Sequence, residues 1–154
     1  MAKELLSETT IEAPGSKVFE ILSDPNRLEK WLPKVHNVKP IGAKVGVGAE
    51  RSLNLDVGGM QLLSRQTVTH HEPGKRFAWE HTQDTLDGKP FDFLEHLGAD
   101  FQLAPKGNAT LVKANMHFTP KGIKAKLMMP LVVNEVQKQM DKALANLKKL
   151  AEGA

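Results

Sequence analysis

The sequence predicts an α+β fold in which a curved, seven-stranded antiparallel sheet wraps around one long C-terminal helix. From about Leu131 to Ala151, apolar residues recur at three- and four-residue steps between lysines and other polar residues, a pattern typical of an amphipathic helix. From Val35 to Phe118, short apolar runs alternate with turn signals, which indicates strands. A sheet with one apolar face buries that face and the helix stripe together when it curls around the helix.

Two short helices are predicted after the first strand. The strand runs from Leu5 to Glu12. Pro14 suits the first turn of the following helix, because backbone N–H groups there have no partner within the helix and proline has no N–H group. A second short helix has Asp24 as its cap and Pro25 at its first position. Pro33 ends that helix. With no repeat, low-complexity tract or linker, residues 1–154 are predicted to form a single domain.

Glycine-containing turns predict the hairpins of the sheet. These turns are Gly58-Gly59, Glu72–Lys75, Asp87-Gly88 and Lys106-Gly107. Another loop, with Gly42, Gly46 and Gly48, follows the second strand. It is interpreted as a flexible strand connection rather than a phosphate-binding motif, because no helix pattern comes after it.

Composition excludes several classes of function. The chain has no cysteine, so disulfides, thiolate metal sites and cysteine nucleophiles are excluded. No histidine spacing resembles a metal motif, and His70 and His71, adjacent on a strand, are interpreted as surface residues. We therefore expect no metal and no cofactor.

Charge and hydropathy predict a cytoplasmic protein that does not bind nucleic acid. The net charge of +3 is modest, and the six phenylalanines and two tryptophans mostly occupy apolar strand positions. The N-terminus lacks the apolar run of a secretory signal. The longest apolar run, Leu127 to Val133, contains Pro130 and is too short to span a bilayer.

Two stretches resemble a known family. The sequence IEAPGSKVFEILSDPNRLEKW, from Ile11 to Trp31, resembles the opening of START-like, helix-grip proteins (the Bet v 1-like or SRPBCC superfamily) and is most similar to the polyketide cyclase/dehydrase and lipid-transport group. The sequence MPLVVNEV, from Met129 to Val136, and the following ALANLKKL are similar to the last helix of that group. The resemblance covers the whole chain and implies a helix-grip fold that holds a hydrophobic ligand or a cyclase site. It carries over no catalytic residue.

Strand alternation predicts a polar row on the inner face of the sheet. Residues on one face alternate along a strand, and the turns then place Arg51 opposite Gln66, Gln66 opposite His81, and His81 opposite Glu95. The rest of that face is leucine, phenylalanine and tryptophan. An unpaired buried charge costs several kcal/mol. The row is therefore either a self-satisfied network, a group of side chains at a wet rim, or the polar lining of a ligand cavity.

The leading hypothesis is a cavity between the sheet and the C-terminal helix that binds or carries a lipid or a polycyclic aromatic compound. Pro130 would place a mobile segment at its mouth. The predicted ligand-binding residues are Arg51, Leu53, Gln66, Trp79, His81, Phe93, Glu95, Leu97, Leu127, Leu131 and Glu135.

Two other functions stay open. A cyclase or dehydratase would use His81 and Glu95 as acid and base, with Arg51 stabilising an enolate or carboxylate. An interaction subunit would use its basic outer face for a partner protein or a membrane. Peripheral contact with an anionic membrane is predicted for the segment Lys121–Lys126, beside Leu127. The sequence identifies neither the ligand nor the oligomeric state.

Overall fold

The computed structural model describes residues 2–57 and 60–153. The elements in chain order are β1 (Lys3–Ile11), α1 (Gly15–Ser23), a short 3-10 helix (Pro25–Arg27), α2 (Leu28–Trp31), β2 (Val35–Ile41), β3 (Glu50–Val57), β4 (Met60–Glu72), β5 (Arg76–Leu86), β6 (Lys89–Pro90), β7 (Leu94–Lys106), β8 (Ala109–Pro120) and α3 (Gly122–Gly153). The predicted turn at Gly58-Gly59 lies outside the described residues.

The strands form one antiparallel sheet in the order β1-β8-β7-β5-β4-β3-β2, and the very short β6 pairs with β5. Short helices follow β1, and α3 contacts β1, α1, α2 and β8. This architecture confirms the predicted α+β helix-grip fold. The predicted cap at Asp24 is also confirmed, because its side chain accepts a hydrogen bond from the Asn26 amide.

Helix α3 begins at Gly122, well before the predicted start at Leu131. Pro130 lies inside the helix and is exposed. A proline inside a helix leaves the carbonyl four residues earlier without its usual donor, which water can replace at an exposed position. The sequence pattern therefore predicted the part of α3 from Leu131 onward, which contains the apolar stripe that packs against the core, and not the turns before it.

The C-terminal half of α3 supplies the centre of the core. Its buried residues are Met140, Ala143, Leu144, Leu147 and Ala151. Trp31 of α2 is fully buried and meets Phe101 of β7 edge to face, with ring centroids 5.5 Å apart. The N-terminal half is less covered, since Leu127 and Leu131 are exposed there.

Bulges change which face of the sheet certain residues occupy. One extra residue enters β4 at Thr69, one enters β5 at Thr82, and one enters β7 between Glu95 and Gly98, where His96 has a φ of 55°. Side chains alternate along a strand, so each bulge moves the residues beyond it to the opposite face from that predicted by simple alternation.

No helix in the described part of the chain is both long enough and apolar enough to cross a membrane.

The unequal burial of α3 predicts unequal effects of truncating its leucines. We expect Leu147→Ala to lower the free energy of unfolding by about 2–5 kcal/mol, because it leaves a cavity in the core. Leu127→Ala should change it by no more than about 0.5 kcal/mol. Urea denaturation of both variants measures the difference. Equal losses would show that the N-terminal half of α3 is packed as tightly as the C-terminal half.

Candidate ligand-binding site

A chain of hydrogen-bonded polar side chains crosses the inner face of three strands. Arg51 Nε on β3 donates to Gln66 Oε1 on β4 at 2.7 Å. Gln66 Nε2 lies 3.2 Å from His81 Nε2 on β5, and His81 Nδ1 lies 3.1 Å from Asp84 Oδ1. The predicted pairings of Arg51 with Gln66 and of Gln66 with His81 are confirmed by the strand registers. The carboxylate at the end of the chain, however, is Asp84.

The bulge at Thr82 brings Asp84 into this chain. Residues three apart on a regular strand point to opposite faces, but the extra residue places Asp84 opposite Ser64 and His81 opposite Gln66. Ser64 is fully buried, and its Oγ lies 3.1 Å from His81 Nδ1. Two neighbouring inward residues of β4 therefore face His81 and Asp84 together.

The predicted pairing of His81 with Glu95 is wrong. β5 and β7 pair with Trp79 opposite Ala99, so the predicted register of this hairpin is displaced by two residues. Beyond the β7 bulge, Glu95 lies opposite Thr119. The neighbouring pair, Leu94 and Pro120, points inward, so Glu95 faces outward.

The hydrogen-bond pattern fixes the proton on His81. A guanidinium only donates, so the Gln66 oxygen must face Arg51 and the amide NH₂ must face His81 Nε2. Nε2 then accepts, and the ring proton sits on Nδ1, where it donates to Asp84. A doubly protonated His81 would set two N–H groups against each other. The network is thus complete with a neutral imidazole and an ionised carboxylate.

Asp84 is held in its ionised form. Burial acts to raise the pKa of this carboxyl group, but hydrogen bonds from His81 and Ser64 outweigh that effect, so its pKa lies below the ordinary value of 3.8. The carboxylate anchors the far end of the chain.

Arg51 has a different environment at the near end. Its guanidinium carbon lies 4.6 Å from the ring centroid of Trp79, which gives a cation–π contact. Its Nη2 is buried and has no hydrogen-bond partner among the described residues. Burial lowers the pKa of Arg51 to about 9, so the side chain is still charged at neutral pH. The protein thus holds a buried cation with one donor group unused.

Arg51 lies in the wall of a cavity of about 270 Å³. The wall is formed by the end of α1, the β2–β3 loop and the adjoining strands, through Ser23, Pro25, Pro40, Gly42, Ala43, Lys44, Val45, Gly46, Ala49, Glu50, Arg51, Val68, His71 and Phe77. Apolar side chains dominate it. Glu50 forms two hydrogen bonds with Arg65, so its charge is compensated. The wall therefore has an excess of positive charge.

The cavity lies away from the predicted location. The space between the sheet and α3 beside Trp79, Phe101 and Met140 is a small gap of about 40 Å³. Leu127, Leu131 and Glu135 are exposed on α3 and line neither space. The apolar stripe of α3 turns toward the sheet through Met129 instead, so these predicted helix residues lie on the opposite side of α3.

The remaining predicted residues have separate positions. Leu53 is buried in the core, and Trp79 packs beneath Arg51 and stacks on Phe101 with centroids 5.5 Å apart. Phe93 and Leu97 are half-buried at the edge of the core. Of the predicted ligand-binding residues, Arg51 alone lines the 270 Å³ cavity.

His71 belongs to the cavity wall and was interpreted from the sequence as a surface residue, which is wrong. The bulge at Thr69 sets His71 opposite the inward residue Phe77, and its ring lies 5.0 Å from that of Phe19. Its Nδ1 is buried without a hydrogen-bond partner among the described residues. The only sequence signal was the polar run around Thr69, which does not reveal a bulge.

Within the described ranges, no group of three or more His, Cys, Asp or Glu side chains is placed to hold a metal ion.

Solved structures similar to this chain share its fold. The protein TTHA0849 from Thermus thermophilus is 17% identical, with a TM-score of 0.79, over 96% of this chain and 95% of that chain. A START superfamily protein from Mycobacterium smegmatis is 14% identical, with a TM-score of 0.76, over 97% of each chain. The Zhui aromatase/cyclase from Streptomyces sp. R1128 is 15% identical, with a TM-score of 0.75, over 100% and 99% of the two chains.

No curated protein matches the sequence. The family model described as polyketide cyclase/dehydrase and lipid transport matches residues 4–152, nearly the whole chain. The chain therefore belongs to the polyketide cyclase/dehydrase and lipid-transport family.

Proposed function

We propose that the protein binds and carries a small hydrophobic molecule that bears one anionic group, in the cavity beside Arg51. Family membership supports a role in ligand binding. The observation that carries the proposal is that the cavity is lined by Arg51, a buried guanidinium whose Nη2 has no hydrogen-bond partner among the described residues.

An anionic group on the ligand follows from the energetics of that arginine. A buried cation without a counter-charge loses its hydration and regains only part of it from Gln66 and Trp79. A carboxylate or phenolate beside the guanidinium would supply a charge-assisted hydrogen bond worth about 1.5–3 kcal/mol. His71 is a second polar residue in the same wall.

The volume favours a ligand of modest size. At about 270 Å³, the cavity is slightly smaller than the range of about 300–1,000 Å³ typical of sites for drug-sized ligands. Val68, Phe77 and Ala49 provide apolar surface for a ring system or a short acyl chain. A one- or two-ring aromatic acid matches these features better than a long-chain lipid.

Cyclase or dehydratase chemistry is the alternative, and the His81–Asp84 pair favours it. The expected partner Glu95 is replaced by Asp84, which orients the imidazole as a general base would require. Both ring nitrogens are already hydrogen-bonded, so catalysis would need the contact with Gln66 to open. Mass spectrometry of a ligand recovered after incubation separates the two functions, since a carrier returns it unchanged and a dehydratase returns it without water.

Arg51→Met should weaken the binding of a naphthoic acid by about 10- to 100-fold while leaving its methyl ester unaffected, because only the acid uses the guanidinium charge. The free energy of unfolding should stay within about 1 kcal/mol or rise, since a buried charge is removed. Isothermal titration calorimetry and urea denaturation measure the two effects.

The matched control is Arg76→Met on the outer face of the sheet, where Arg76 pairs with Asp100. It should leave the affinity for the naphthoic acid unchanged. Equal affinity of wild type and the Arg51 variant for the acid, or equal binding of acid and ester by wild type, would contradict the role of Arg51.

Asp84→Asn should lower the free energy of unfolding at neutral pH by about 1–3 kcal/mol, because the His81 proton loses its charged acceptor. The pKa of Asp84 is lowered by folding, so its stabilising contribution is full above about 3.8 and disappears as the pH falls through the pKa of the folded state. The variant should therefore show a weaker loss of stability between neutral and acidic pH. The control is Asp92→Asn, which removes an exposed ion pair with Lys121 and should behave like wild type. If the free energy of unfolding of wild type and of Asp84→Asn depended on pH in the same way, the stabilising role of Asp84 would be refuted.

A further inference from the structure

The first turns of α3 expose a face of large apolar side chains. Ile123, Leu127 and Leu131 are 78%, 77% and 71% exposed, and Met128 beside them is 40% exposed. Residues four apart lie above one another on a helix, so the first three form one continuous line. We refer to Ile123, Leu127, Met128 and Leu131 as the apolar face of α3.

This face is specific to the start of the helix. Farther along the same side, the corresponding positions are occupied by Glu135, Lys138 and Lys142, all exposed. The second half of α3 thus has the polar outer surface expected of a helix packed on a soluble core, and the first half does not. Leucine and isoleucine in water on one side of an otherwise well-packed domain indicate a binding surface.

Lysines flank the apolar face. Lys124 and Lys126 lie in the same turns, and Lys121 directly precedes the helix. The sequence from Lys121 to Asn134 contains no acidic residue. Lys121 forms an exposed ion pair with Asp92 at 2.6 Å. Neither Lys124 nor Lys126 contacts a carboxylate among the described residues. Apolar side chains combined with unneutralised lysines on one short helical segment match the physical requirements of a helix that lies in an anionic bilayer interface.

A second copy of the chain fits this surface less well. Two such faces brought together would set the lysines of one copy against those of the other, with no acidic residue in the segment to pair with them. The resulting repulsion opposes self-association.

We propose that the apolar face of α3 docks on the surface of an anionic lipid bilayer. Ile123, Leu127 and Leu131 enter the boundary between headgroups and acyl chains, and Lys124 and Lys126 contact the anionic headgroups. The surface is separate from the cavity beside Arg51, so this inference does not depend on the proposed function. Docking here would hold a carrier of hydrophobic molecules at the membrane.

Vesicle sedimentation of the purified full chain tests the proposal. Wild type should bind vesicles of phosphatidylcholine with phosphatidylglycerol, bind pure phosphatidylcholine far more weakly, and dissociate as salt is raised. Leu127→Gln/Leu131→Gln should reduce the vesicle partition coefficient at least about tenfold, because two leucine side chains no longer enter the bilayer. Lys124→Gln/Lys126→Gln should reduce it by about fivefold for each lysine.

Matched controls use residues of the same type elsewhere on the surface. Leu6 and Leu63 are 69% and 55% exposed on the sheet, and Leu6→Gln/Leu63→Gln should leave vesicle binding unchanged. Lys138→Gln/Lys142→Gln, farther along α3, should have a smaller effect than the paired change at Lys124 and Lys126.

Three results would overturn the proposal. The first is wild type that fails to sediment with anionic vesicles. The second is a loss of binding in the control variants equal to that caused by changing Leu127 and Leu131 or Lys124 and Lys126. The third is a dimer, seen by light scattering, that Leu127→Gln/Leu131→Gln dissociates, which would assign the face to self-association. Circular dichroism spectra of all variants matching wild type confirm that altered binding does not reflect unfolding.

Discussion

The polar side chains of the site are arranged around one buried guanidinium that has no counter-charge among the described residues. Arg51 is positioned by a hydrogen bond from Nε to Gln66 and by the face of Trp79, and its Nη2 has no partner among the described residues. Because Arg51 can only donate, the side-chain oxygen of Gln66 must face it and the Gln66 NH₂ group must face His81 Nε2. The ring proton of His81 then lies on Nδ1, where it donates to the Asp84 carboxylate. The chain of polar contacts is therefore a consequence of where the cation sits.

Much of the fold could be predicted because it rests on long periodic patterns. The C-terminal half of α3 has an apolar stripe that is covered, and the pairings of Arg51 with Gln66 and of Gln66 with His81 follow from alternation and turn position. The start of α3, from Gly122 to Pro130, was not predicted because its outer side is apolar and it contains Pro130, which hides an amphipathic signal.

The site was predicted less well, and bulges explain most of the difference. A bulge adds one residue without a distinctive composition, and every side chain beyond it changes face. The bulges at Thr69 and Thr82 turn His71 and Asp84 inward, while the bulge after Glu95 leaves that residue outside. Glu95 and His71 were therefore assigned to the wrong faces. The residue types of the polar row, a cation, an amide, an imidazole and a carboxylate, are nevertheless the same as predicted.

The most direct measurement of the central claim is a titration followed by nitrogen-15 NMR of the Arg51 side chain and the His71 ring. A naphthoate that occupies the cavity should shift both signals, and its methyl ester should shift the Arg51 signal far less, because only the carboxylate pairs with the charge of the guanidinium. If the naphthoate shifts neither signal while other residues of the protein respond, the ligand binds elsewhere and Arg51 is not its anchor.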